Sequence, residues 1–292
     1  MESFLLITDI FLLLFWVRLW SRPDKELYFN PFLSAPTRLT DRVLDFLRPV
    51  LPLPDRLTAL LLLAFFLVFR AVTLQHFLAE EPWVITLGAV FPFSPREPGM
   101  SGAMVFSALH FLFFVARFWG VYLIIQLLTP IPRRDRASQA FAFAALPLAA
   151  LRRWAQLLVL LAVHGLLVYE LSLAGILNLP ATHPLAMTAT GMANGRLIHL
   201  ACLSLISVAD ALMMAWQLMF ALLISSFLAA MMQNGALLAI SNEGVSTMLG
   251  CWRQRLIVGF LDLTPLLYMA SAYLLYNVVL LPCLFAIMTG NR

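Results

Sequence analysis

Of the charged side chains inside long apolar runs, four can be placed by depth: Arg70, Arg117, Glu170 and Asp210. A charge in hydrocarbon is costly and faces a partner, the protein interior or water, so each marks a place where chemistry is concentrated. Counted from the end away from the arginine-rich loops, Arg117 lies about fourteen residues deep in its run and Asp210 about thirteen. Arg70 lies about eight residues deep and Glu170 about seven. The matched depths predict two ion pairs, Arg117–Asp210 and Arg70–Glu170. Two roles are open for them: orienting helices and fixing their register, or lining a polar pathway for protons or small ions. Asp9 is shallow in the first run and reads as an interfacial charge, and Arg18 is near enough to the basic edge to snorkel. Ser207, Ala211 and Ala215 flank Asp210 at a spacing that lets another helix approach closely, which favours a packed pair over an open pore.

Other reactive groups form no constellation. Haem ligation needs two histidines at equal depth on facing helices. His110 and His164 differ in depth, and His76 and His199, which match, both sit near one edge. Cys202, Cys251 and Cys283 are scattered, with no CxxC pair to hold zinc or cycle as a dithiol. Neither a P-loop, a GxGxxG fingerprint, an HExxH nor a GxSxG is present. The expectation is a protein that is not an enzyme and carries no cofactor or metal.

The elements that position these charges follow from composition. Hydrophobic residues make up 62% of the 292 and charged residues 12%, with mean hydropathy +0.90. So few charges cannot cover a soluble globule of this size, and the apolar surface is too abundant for disorder. Runs at about 3–20, 57–78, 103–128, 154–177, 197–231 and 260–288 are each long enough to cross a bilayer as a helix. A transmembrane barrel would show alternating segments of about ten residues instead. The fold class is therefore all-α and polytopic, with six transmembrane helices.

Charge in the connecting loops orients the bundle. Arg133, Arg134, Arg136, Arg152 and Arg153 lie between the third and fourth runs, Arg22, Lys25, Arg38, Arg42, Arg48 and Arg56 between the first and second, and Arg253 and Arg255 between the fifth and sixth. Loop 79–102, with Glu80, Glu81 and Glu97 against Arg96, and the uncharged loop 178–195 fall on the other face. The basic face is expected to be cytoplasmic, with both termini outside. The first run has an acidic front and a basic rear, the reverse of a signal peptide, and reads as an anchor that is not cleaved. In 32–50, Leu39, Val43, Phe46, Leu47 and Val50 share one helical face, and Arg38, Asp41, Arg42, Asp45 and Arg48 share the other. Such a helix either lies in the headgroup layer on anionic lipid or caps the bundle. A weaker version in 236–257 places Val245, Met248, Leu249, Trp252 and Leu256 together.

Two segments share one order of features. The first reads as span, Asn30-Pro31, amphipathic helix, Leu47-Arg48-Pro49-Val50-Leu51-Pro52, Asp55, span; the second as span, Asn234-Gly235, amphipathic helix, arginine pair, Asp262-Leu263-Thr264-Pro265, span. On these residues the chain resembles the YggT family of integral membrane proteins, whose members carry two such units. Asn30, Pro31, Arg48, Pro49 and Asp55 match the first unit, where Leu57-Thr58 replaces Ser-Pro. Asp262, Thr264 and Pro265 match the second, where Asn234 lacks its proline. Asp262 and Pro265 read physically as a cap and first turn at the span's start, because a carboxylate accepts unpaired N–H groups and proline needs no partner there. The units divide the chain into 1–78, a central two-span insert 79–204, and 205–292.

The resemblance implies a non-catalytic protein of the bacterial inner membrane that assembles, organises or regulates envelope components. Such proteins are linked to osmotic and potassium homeostasis, and plastid relatives to cytochrome maturation and to nucleoid or division organisation. Expected partners are membrane lipids, anionic headgroups above all, and membrane proteins or further copies of the chain, with no direct nucleic-acid partner. The competing class is a small-ion or solute transporter using the intramembrane arginines and acids.

Overall fold

A computed structural model describes residues 2–20, 28–50, 52–77, 83–88, 91–95, 99–129, 135–177, 197–252, 256–258 and 261–289. The six apolar runs are helices. They are α1 (Glu2–Trp20), α3 (Asp55–Phe77), α4 (Met100–Leu128), α6 (Arg153–Ala174) and α7 (Leu197–Met231). The sixth is formed by α9 (Thr264–Leu274), a π-helical turn (Leu275–Leu280) and α10 (Leu281–Thr289). Their apolar spans run from 18 to 35 residues, so each is long enough to cross hydrocarbon. Leu6, Ile7, Ile10, Leu57, Leu60, Phe65 and Phe69 point outward. In water such a surface would aggregate; in a bilayer it is the solvated one. The protein is an all-α, multi-pass membrane protein.

The fourth helix of the chain holds the bundle together. On one side it packs against α3, which in turn packs on α1, and on the other against α6 and α7. Close approach to α7 depends on a small-residue contact, because a Cβ at Gly120 would stand 2.4 Å from the Ala211 Cβ. Ala211 and Ala215 thus lie at the seam with α4, while Ser207 of the same stripe meets His164 of α6. One apolar cluster draws Leu5, Leu74, Phe91, Phe113, Leu203 and Tyr276 into the same core. Segments 1–78, 79–204 and 205–292 therefore share a single interior, and the boundary at 204 and 205 falls inside the unbroken helix α7.

Each end of the bundle has its own cover. At the end away from the arginines, β1 (Ile85–Leu87), β2 (Phe91–Pro95) and β3 (Gly175–Leu177) form an antiparallel sheet. Ile85 pairs with Phe93, and Phe93 with Leu177. Ile85, Leu87, Phe91 and Phe93 are buried in the core, which ties this sheet to the helices beneath it. Its alternation covers too few residues to stand out in the sequence.

The basic end carries three short helices: α2 (Pro31–Leu47), α5 (Arg136–Ala144) and α8 (Gly235–Leu249). The middle one packs on both of the others, and it falls in a stretch that reads as a plain basic loop in the sequence. A two-residue ladder, β4 (Ile257–Val258) and β5 (Leu261–Asp262), precedes the sixth span.

Candidate functional site

Arg117 and Asp210 meet. Arg117 Nη2 is 2.7 Å from Asp210 Oδ2 and also donates to the Thr86 carbonyl at 2.8 Å. The other carboxylate oxygen accepts from the Tyr276 hydroxyl and, at 3.1 Å, from the Gly88 N–H. Gly88 has φ +66°, and a Cβ there would fall 2.6 Å from the Ile206 Cγ2. Only glycine lets the turn after β1 come down onto the carboxylate. One buried acid is therefore held by α4, by the π-helical turn of the sixth span and by the backbone of the covering sheet. Beside it, on the same helix as Asp210, the buried Ser207 hydroxyl lies 2.8 Å from His164 Nδ1.

Arg70 does not pair with Glu170. It pairs with Asp9 of α1, and both side chains are about 1% exposed. Its Nε donates to the Ser107 hydroxyl at 3.0 Å, its Nη1 to Thr8 at 3.3 Å, and its Nη2 to the Ser107 carbonyl. Ser107 in turn donates to the Leu67 carbonyl at 3.0 Å. His110 Nδ1 stands 2.9 Å from Asp9 Oδ2, off the hydrogen-bond direction. The cause of the correction is helix order: α3 packs on α1 and α4, whereas α6, which carries Glu170, packs on α4 and α7. Glu170 is exposed on its helix. Asp9 is consequently no interfacial charge but the buried anion of the second cluster. Its depth was the available signal, since it sits about as far from its end of α1 as Arg70 does from the same end of α3.

The positions on which the resemblance rests organise the basic end. Asn30 Oδ1 caps α2 by accepting the Phe32 N–H at 3.0 Å, and Pro31 fills the first turn. Asn30 Nδ2 also donates to the Arg136 carbonyl at 2.8 Å, which joins α2 to α5. Asn234 caps α8 in the same way, accepting from the Leu237 N–H at 3.1 Å. Arg48, one residue before Pro49, bridges Asp45 at 3.0 Å and Asp55 at 3.1 Å across the proline turn. Asp262 accepts the Thr264 N–H at 2.9 Å, and the Thr264 hydroxyl accepts the Leu256 N–H at 3.1 Å, with Pro265 buried beside them. These residues shape backbone.

Links that sequence reading missed complete this layer. Glu243 of α8 accepts the backbone N–H groups of Arg136 and Ala137 at 2.8 and 3.2 Å, so an acid from one helix caps another. Asp135 accepts from Ser138 at 2.7 Å and from Thr247 at 3.1 Å. Arg18 does not snorkel freely; it pairs with Asp41 of α2, which also accepts from Tyr28. That acceptance favours the neutral phenol and raises the Tyr28 pKa.

The amphipathic segment 32–50 has three faces. Thr37, Thr40 and Leu44 turn toward the bundle. Leu39 is 45% exposed, Phe46 80% and Val50 75%, on a second face. Arg38, Arg42 and Asp45, all exposed, form the third. By contrast, α8 caps the bundle, with Met248 and Leu249 in the core, while Trp252 and Leu256 stay exposed. Arg136, Arg152 and Arg153 begin α5 and α6 at the same end. Arg22, Lys25, Arg133, Arg134, Arg253 and Arg255, with Glu80, Glu81, Arg96 and Glu97 of the opposite loop, lie outside the described residues. No family model, curated protein or solved structure matches the chain.

Proposed function

We propose that the chain is a non-catalytic protein of the bacterial inner membrane that assembles, organises or regulates envelope components from its basic face, as the YggT resemblance implies. On this reading the basic face is cytoplasmic, both termini are outside, and the chain is built of two divergent units around a central insert. Its partners are anionic lipids and other membrane proteins or copies of itself.

The observation that carries the reading is the layer of α2, α5 and α8. Three helices from three different loops are fastened to one another by Asn30, Asp135 and Glu243. A protein built only to pass a solute has no need of such a platform, whereas docking requires a rigid one. The asparagine caps Asn30 and Asn234, each opening the helix after the first span of its unit, fit the two-unit reading. Asp9 is paired with Arg70 and Asp210 with Arg117, both arginines of this chain, so neither acid is an uncompensated charge. Two apolar cavities, about 170 and 290 Å³, open on the bundle, and neither is lined by Asp9 or Asp210.

Affinity purification of the full chain from native membranes tests the proposal. Expected is a defined set of membrane proteins that co-purify, reduced when Arg38, Arg42 and Arg136 are changed to glutamate and retained in Asp210→Asn. Solute flux in vesicles that Asp210→Asn abolishes, with no protein co-purifying, overturns it in favour of transport.

A further inference from the structure

Near the basic end, a groove of about 290 Å³ is lined mainly by α2, α5 and α1, with residues of α4, α7 and α8 completing it. Leu13 and Leu14 of α1, Leu218 and Leu222 of α7, Phe118 of α4 and Phe141 of α5 are among its apolar lining. Phe118 and Phe141 stack with ring centroids 6.4 Å apart, which ties α4 to α5 at the groove. The volume is close to the lower end of ligand pockets, roughly 300 Å³. An apolar cavity of this kind stays dry, so its natural occupant is hydrocarbon.

Position and charge narrow the occupant. The lining residues of α1 and α7 belong to the halves of those helices nearest the basic end, so the groove lies within one leaflet's depth of that face. Thr37 of α2 and Ala137 of α5 also line it. Each is adjacent in sequence to an exposed arginine, Arg38 and Arg136, and neither arginine has a carboxylate partner among the described residues. Arg18, which also lines the groove, is neutralised by Asp41. The exposed apolar face of α2, with Leu39 and Phe46, places the same helix at the boundary between headgroups and chains.

We infer that this groove holds one acyl chain of an anionic phospholipid from the adjoining leaflet, with the phosphate drawn to Arg38 and Arg136. The inference deepens the reading above, which places the basic end among lipid headgroups: it assigns a single, saturable lipid site rather than general attraction to a charged surface. Because the site joins α1 and α2 of the first unit to α7 of the second, an occupied groove fixes their spacing and so the geometry of the platform.

The test uses the full chain in vesicles containing phosphatidylcholine and a phosphatidylglycerol with a photoreactive acyl chain. Labelling is read on peptides carrying Leu13–Leu14 and Leu218–Leu222, with Phe65–Phe69 of α3 as the ordinary lipid-facing reference. Expected is groove labelling that unlabelled phosphatidylglycerol competes away and phosphatidylcholine does not, while the reference labels without saturation. Ala140→Trp, which fills the groove, removes the saturable part and leaves the reference unchanged; Leu222→Phe serves the same purpose should the first variant fail to fold. Arg136→Gln lowers the preference for phosphatidylglycerol about fivefold, the effect of one arginine at an anionic surface. Groove labelling that does not saturate, or that survives both filling variants, overturns the inference. Reference labelled and groove unlabelled overturns it alone; neither labelled overturns the membrane-embedded reading beneath it.

Discussion

Asp9 and Asp210 show how differently two buried carboxylates are paired in one bundle. Asp9 faces a guanidinium whose every nitrogen has an acceptor, whereas Asp210 draws on a guanidinium, a phenol and a peptide N–H. Removing one partner of such a pair strands a charge and costs about 3–5 kcal/mol, while replacing both with apolar groups is often neutral. Arg70→Met alone is therefore expected to lower the melting temperature of the purified protein sharply, and Arg70→Met with Asp9→Leu to recover most of the loss. Equal melting of the single and double variants would reject the pairing. Glu170→Gln, on an exposed position, is expected to shift stability by less than about 0.5 kcal/mol. Were it instead as damaging as Arg70→Met, the assignment of Asp9 as the partner would fail.

Among the elements, α2 and α8 answer one sequence pattern in two ways. Both begin at an asparagine cap, yet α8 buries Met248 and Leu249 while α2 leaves Leu39 and Phe46 outside. The difference lies in what faces the bundle: Thr37, Thr40 and Leu44 already occupy that side of α2. Spin labels on the full chain in vesicles should report it, with a label at Phe46 more accessible to oxygen dissolved in hydrocarbon and one at Asp45 to a water-soluble relaxer. Indistinguishable profiles would mean that α2 does not lie at the interface. Asn30→Ala removes a cap, at about 1 kcal/mol, and also the bond to the Arg136 carbonyl. A larger loss than for Asn234→Ala is expected in thermal melts, because Asn234 caps one helix and Asn30 also joins two.

At the scale of the whole molecule, six crossings place α2, α5 and α8 at one end and the three-stranded sheet at the other. With the native cysteines replaced, Arg38→Cys and Arg152→Cys are expected to react with an impermeant thiol reagent from the same side of sealed vesicles. Ser94→Cys, on the strand that ends at Pro95, is expected to react from the opposite side. Any pattern with Arg38 and Ser94 on one side rejects the six-span path. Legibility followed the physics of each level. Span number and the basic face were readable because hydrophobic run length and arginine placement are properties of the chain, set by transfer of each residue between water and lipid. Arg117 with Asp210 was readable because the two helices adjoin at a small-residue seam. Arg70 with Asp9 was not, because equal depth names several acids and only helix order chooses among them. The sheet cover and the helix α5 escaped for another reason: short elements are made by the neighbours that bury or cap them, as Glu243 caps α5 from a helix more than a hundred residues away. Along the chain, then, solubility in the bilayer was decided residue by residue, while which charges touch, which amphipathic face meets lipid and where a groove opens were decided by packing, since each depends on residues far apart in sequence.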